Sequence, residues 1–150
     1  MKADQCGQGS MDEKIIKEFL RWIGETECSG WNEYYSEQVA KGLLPKFSSA
    51  EWIWLEQHIK TQPDYWVQRC VAALGDSRAP EGIPILKALL SSSNFDTQIM
   101  AASELDWSEA PIEEEYFSTV ENILFRLPNE DHHLYPEIIN LLKKSNPAQH

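Results

Sequence analysis

The sequence predicts an all-α protein of about eight helices, paired as antiparallel hairpins and stacked into a short solenoid. Apolar residues recur at three- and four-residue spacing along most of the chain, with few two-residue alternations. The stretches between these periodic segments are short, which favours antiparallel packing of consecutive helices. Two helix pairs are also alike at a spacing of about 31 residues, the mark of a repeat architecture. The 150 residues are 42% hydrophobic, which suffices for one domain with a sizeable core and falls short of two. Residues 1–10 are polar. They read as a flexible segment ahead of a single helical domain over 11–150.

Each element follows from its stripe and its ends. Ile15, Ile16, Phe19, Leu20 and Ile23 form one stripe of a first helix, with Ser10 or Asp12 as cap and Gly24 as stop. A second helix, from about Asn32 to Leu44, puts Tyr35, Val39 and Leu43 on one face and ends at Pro45. Ser48 or Ser49 begins a third, with Trp52, Leu55, Glu56 and Ile59 at helical spacing. Pro63 and Asp64 open the fourth, which carries Val67, Cys70, Val71 and Leu74 and closes at Gly75. Pro80 sits in the first turn of the fifth, a position that tolerates its missing N–H, ahead of Ile85, Leu86, Leu89 and Leu90. Asn94 or Asp96 caps the sixth, with Ile99, Ala102 and Leu105, and Pro111 opens the seventh, with Phe117, Val120, Ile123, Leu124 and Leu127. The eighth runs from about Asp131 to Lys144 and carries Leu134, Ile138, Leu141 and Leu142.

The fourth and sixth helices align so that Cys70 and Val71 match Ala101 and Ala102, and Leu74 matches Leu105. Each is followed by a proline-led helix ending in an apolar pair, Leu89-Leu90 and Ile123-Leu124. Small residues at fixed positions let neighbouring helices approach closely. The pattern resembles the HEAT repeat, whose second helix carries an acidic residue, Val-Arg, then Ala-Ala and Leu-Gly. Asp64, Val67, Arg69, Ala72, Ala73, Leu74 and Gly75 carry the likeness. It is good over 63–106, fair to 127 and weak before 48.

Charge narrows the partners. Thirteen basic and 24 acidic residues give a net charge of −11 at pH 7. A field of that sign repels nucleic acid and anionic lipid and attracts basic proteins. No apolar run approaches the ~18 residues of a membrane span, and Met1 to Ser10 lacks the apolar middle of a secretory signal. Cysteines at positions 6, 28 and 70 are odd in number and sit at no metal-binding spacing. They suit a reducing cytoplasm. Residues 1–75 hold 8 basic and 11 acidic residues, and residues 76–150 hold 5 and 13. Between Lys87 and Arg126 there is no basic residue, and the interval contains Asp96, Glu104, Asp106, Glu109, Glu113, Glu114, Glu115 and Glu121. Such a stretch serves either as a solvated face or as a docking surface for a cationic partner. A purely solubilising face usually intersperses both signs.

Catalytic patterns are scarce, so neither an enzyme nor a cofactor is expected. Asp131-His132-His133 resembles the triplet of the DHH phosphoesterases, but His58 is the one histidine upstream and the family's other motifs are missing. Serine nucleophile motifs, phosphate-binding glycine loops and CxxC pairs are absent. Glu113, Glu114 and Glu115 follow Pro111, where carboxylates stabilise a helix start. Six tryptophans exceed what a helical core of this size requires. Trp22, Trp52 and Trp54 read as packing residues. In a HEAT-like solenoid the second helix of each hairpin lines the concave side, here 32–44, 63–75, 94–106 and 131–144. Tyr65, Trp66, Arg69, Met100, Glu104, Asp106 and Trp107 then share or border one surface, with Glu109, Glu113 and Glu114 beside it. Aromatic anchors in a charged rim describe a protein-binding hot spot; partial burial between hairpins is the other reading. A fallback surface lies around Trp31, Tyr34 and Tyr35.

A small, acidic, helical chain of this kind resembles the bacterial immunity proteins, the antitoxins of contact-dependent inhibition and related polymorphic toxin systems. That resemblance implies a basic partner, the C-terminal nuclease domain of a toxin, whose active site is occluded by the acidic surface. A HEAT-like adaptor is the alternative. The HEAT-like family that includes phycobilin lyases is a further one, although no cationic groups for tetrapyrrole propionates lie near Trp107.

Overall fold

The computed structural model describes residues 11–149, which are all-α: eight α-helices joined by short 3-10 and π segments, with no strand among them. The anticipated flexible segment over 1–10, with Ser10 and Cys6, lies outside the described residues. Contacts within the chain group it into two compact units, Met1–Gly82 and Ile83–His150.

In the first unit, α1 (Glu13–Ile23) starts where the Asp12 carboxylate accepts the N–H groups of Lys14 and Ile15, and stops at Gly24 with φ +96°. Asn32 caps α2 (Glu33–Gln38) by accepting the Tyr35 N–H. The chain stays helical beyond Gln38, widening into a π segment (Val39–Leu43) and tightening into a 3-10 turn at Leu44–Lys46 that holds Pro45. The helix α3 (Ser49–His58) opens on Ser48, whose N–H and hydroxyl both donate to Glu51 Oε1, at 2.6 and 2.7 Å. The other oxygen of Glu51 accepts the Asp12 N–H at 2.7 Å, so one buried carboxylate ties the starts of α1 and α3. The fourth helix, α4 (Asp64–Ser77), packs on α1 and α2 and is tied to α2 by a 2.6 Å bond from the Ser36 hydroxyl to Asp76. Phe19, Ile23, Val39, Leu55, Trp66, Cys70 and Leu74 form the core of this unit.

In the second unit, α5 (Ile83–Leu89) and α6 (Phe95–Ser108) pack together, and Asn94 caps α6 by accepting the Thr97 N–H at 2.9 Å. The sixth helix also packs on α7 (Phe117–Phe125) and α8 (Pro136–Ser145), which touch each other. Buried Gln98 joins the ends of two neighbours, donating to the Leu90 carbonyl at 2.7 Å and accepting from Arg126 at 3.0 Å. Leu86, Leu90, Ala101, Leu105, Ile123, Ile138 and Leu141 form its core.

Four boundaries differ from the sequence expectation. Pro80 does not lie in the first turn of α5, which begins at Ile83 after a 3-10 turn at Pro80–Gly82. Gly75 does not close α4, which runs two residues further. Pro111 does not open α7: Ile112 is buried from an extended stretch, and a 3-10 turn at Glu114–Tyr116 precedes the helix. The eighth helix begins at Pro136 rather than near Asp131, because residues Asn129–Leu134 form a 3-10 segment and Leu134 is exposed instead of packed.

The endings of α4 and α6 are built alike, although the cap N–H donates to Leu74, four residues back, in α4 and to Asp106, three residues back, in α6. The Ser77 hydroxyl donates to the Leu74 carbonyl and accepts the Ala79 N–H, while Ser108 does the same for Leu105 and Ala110. Each helix then ends on a left-handed residue, Arg78 (φ 55°, ψ 23°) or Glu109 (φ 61°, ψ 20°). The stretches Leu74–Pro80 and Leu105–Pro111 share Leu, Ser, Ala and Pro at matching positions, so the repeat extends into hydrogen bonding.

Candidate functional site

The residues expected on one binding surface fall into two groups. Tyr65, Trp66 and Arg69 belong to the first unit, and Met100, Glu104, Asp106, Trp107, Glu109, Glu113 and Glu114 to the second.

The first group is built into the structure. Trp66 is a correction: it is 3% exposed and packs edge-on against Phe19 and His58, with ring centroids 5.9 and 5.3 Å away. Arg69 is a second correction. Its buried guanidinium donates to the carbonyls of Ile23, Glu27 and Ser29 at 2.7, 3.1 and 2.9 Å and lies over the rings of Tyr65 and Trp31. Tyr65 is half-buried beneath it. The physical reason is that Trp66, Arg69, Cys70 and Ala73 follow helical spacing along the inward side of α4.

The second group is at the surface. Met100, Glu104 and Trp107 sit four and three residues apart on α6 and form one stripe, half-exposed at its start and open at Trp107, which is 58% exposed. The indole N–H of Trp107 donates to Glu137 on α8 at 3.3 Å, which fixes the ring plane. One turn-position earlier, Asp106 meets Lys144 at 3.3 Å and Asn140 at 3.4 Å, both on α8. Glu109 is exposed at the end of α6, and Glu114 is exposed in the 3-10 turn before α7. Glu113 is ion-paired with Lys87 at 2.8 Å.

Two features set the electrostatics of this unit. Residues 83–150 hold four basic and 11 acidic residues, and three of the four basic ones face partners within the unit: Lys87 on Glu113, Lys144 on Asp106, and Arg126 on Gln98 and the Phe95 ring. The outward field is therefore negative. The last turn of α6 also carries Asp106 and the cap Glu109 and no basic residue, although the carbonyl end of a helix dipole favours cations. At the matching cap, α4 has Arg78.

Other titratable groups serve packing. Burial works to raise the Glu51 carboxyl, but the donors from Ser48 and Asp12 outweigh it and hold the group below its ordinary value. Burial against Trp54, stacked at 4.6 Å, and Trp66 lowers the His58 imidazole. Burial raises the Cys70 thiol far above its usual range, so it is no nucleophile at neutral pH. His132 of the Asp-His-His triplet sits 3.0 Å from the Leu127 carbonyl. Among the described residues no three His, Cys, Asp or Glu side chains are placed to hold a metal ion, and no helix is long and apolar enough to cross a membrane.

Sequence reasoning missed the shared ending of α4 and α6, which the recurrence of Leu, Ser, Ala and Pro would have exposed. It also missed a groove in the first unit, lined by Lys17 and Arg21 of α1. Comparison with protein-family models, curated protein sequences and solved structures finds no match for the chain.

Proposed function

We propose that the chain is an immunity protein that captures a basic partner, the nuclease domain of a toxin, and covers the site where that nuclease takes nucleic acid. One observation carries the reading: α6 ends on an exposed indole with Asp106 paired to Lys144 of α8 and Glu109 at its cap, where the matching cap of α4 is Arg78. A helix end that departs from the stabilising arrangement, while its twin keeps it, marks a surface shaped by binding rather than by stability. Carboxylates projected toward a cationic cleft occupy the ground that phosphates otherwise take, so occlusion alone inhibits. The chain then needs no catalytic group or cofactor, and it acts in the cytoplasm, where the substrate of the toxin is.

In this reading Glu104, Asp106, Glu109 and Glu114 steer the encounter, and Trp107 and Met100 anchor it. The test is survival of cells that express the toxin encoded beside this gene. The wild-type chain protects, and a folded variant with Glu104, Asp106 and Glu109 all reversed does not. Equal protection by that variant at native expression overturns the assignment of the surface. Copurification with a non-toxic partner instead marks a HEAT-like adaptor.

A further inference from the structure

The first unit contains an open groove of about 560 Å³, lined by Lys17, Arg21 and Trp22 of α1, Glu25 and Ser29 of the following loop, and Tyr35 of α2. Its volume falls in the range of small-molecule sites. Three features show that its walls are held in place. The Arg69 guanidinium fixes the loop through the carbonyls of Ile23, Glu27 and Ser29. Gly24 is required at the turn, since it has φ +96° and a Cβ there would lie 2.7 Å from Ser29 Cβ and 2.9 Å from an Arg69 nitrogen. The Trp22 and Tyr35 rings meet edge-on at 5.3 Å, and Tyr35 is braced in turn by Trp31 and Tyr34.

The groove lining carries two cations, Lys17 and Arg21, and one carboxylate, Glu25. In a protein of net charge −11, Lys17 and Arg21 stand four residues apart on the exposed side of α1, with Lys14 one turn before them and outside the groove lining. Arg21 is paired with Glu18 at 2.7 Å and lies 5.8 Å from the centre of the Trp22 ring. Both members of that pair are open to solvent, and exposed pairs of this kind exchange partners at little cost. Glu25 also lines the groove and disfavours a second negative group.

We propose that this groove binds a planar ring bearing one anionic group, the chemistry shared by a nucleoside monophosphate and an aromatic carboxylate. The ring stacks on one of the Trp22 and Tyr35 faces and meets the other edge-on, because those two rings stand at 78° to each other. The anionic group is held by Lys17 and Arg21. The proposal is independent of the acidic surface of the second unit and stands on different residues.

The test follows the Trp22 indole N–H by NMR in the full isotopically labelled chain. The probes are adenosine monophosphate, indole-3-acetate, adenosine and inorganic phosphate. The expected result is saturable binding of at least one ring anion at millimolar concentration or below, with adenosine and phosphate each weaker by about tenfold or more. Which of the two ring anions binds more tightly identifies the source. The exposed double variant Lys17→Glu/Arg21→Glu, checked for helicity by circular dichroism, weakens binding by about tenfold or more. The proposal is overturned if neither ring anion shifts Trp22 saturably, if adenosine matches adenosine monophosphate, or if the folded double variant binds as the wild type does.

Discussion

Arg78 and Glu109 occupy the same place in two copies of one helix ending, 31 positions apart, in the same left-handed conformation and with opposite charge. The dihedral angles barely distinguish them, although the Arg78 N–H donates to Leu74 four residues back and the Glu109 N–H to Asp106 three residues back. The larger difference lies in the charge each presents to the carbonyl end of its helix.

Glu109→Arg should therefore stabilise the protein while harming its proposed function. A cation at the end of α6 gains about 0.3–1 kcal/mol from the helix dipole, read as a higher urea midpoint at unchanged slope. The same change should weaken capture of a basic partner. If the variant is no more stable than wild type, the dipole argument fails at this site.

Leu74 and Leu105 hold equivalent positions and are 2% and 1% exposed, so Leu74→Ala and Leu105→Ala should each cost about 2–5 kcal/mol. Leu134, which the sequence pattern places in a helix core, is 60% exposed, and Leu134→Ala should change stability by less than about 0.5 kcal/mol. Chemical denaturation of the three variants checks the assignment.

Which elements were legible depends on where their determinants lie. The caps Asp12, Asn32, Ser48 and Asn94 sit next to the residues they bond, so the starts of α1, α2, α3 and α6 were readable. Gly75 misled because a glycine inside a helix looks like a stop, whereas α4 ends through Ser77 and the left-handed Arg78. Trp66 and Arg69 were misplaced because their surroundings come from residues more than 40 positions away, Phe19 and Ile23. The exposure of Trp107 was legible because its place near the end of α6 is a local feature.

Arg69→Lys should loosen the loop after α1 although it keeps the charge. An ammonium cannot reproduce the fork that reaches the Ile23, Glu27 and Ser29 carbonyls together. The expected cost is about 2–3 kcal/mol, with faster amide exchange and cleavage around residues 24–30. Exchange rates there equal to wild type would show that the loop holds its own shape.

Stability should fall with acid in two stages. The His58 imidazole is lowered by burial, so its contribution is complete above the ordinary value of 6.5 and declines as pH drops below it. The Glu51 carboxyl is held below its ordinary value of 4.5 by its donors, so its contribution is complete above that value and is lost as pH falls through the lower folded one. His58→Phe should remove the first stage while keeping a ring against Trp54. Glu51→Gln should remove the second and cost about 1–3 kcal/mol at neutral pH, because the amide nitrogen of glutamine meets a donor where an oxygen stood. Urea midpoints across the pH range separate the two.

Partner binding should divide between rate constants according to what each side chain does. Glu104→Lys and Glu109→Lys change the long-range field and leave most of the contact in place, so they should mainly slow association, more so at low salt. Trp107 is the large apolar group of the surface, 58% exposed in the free chain and oriented by Glu137. Trp107→Ala should therefore leave association nearly unchanged and speed dissociation. Glu137→Gln keeps an acceptor for the indole and should fall between wild type and Trp107→Ala in dissociation rate. Surface-bound kinetics with the toxin domain at two salt concentrations read all four variants. A Trp107→Ala complex that dissociates no faster than wild type would show that the indole is not the anchor.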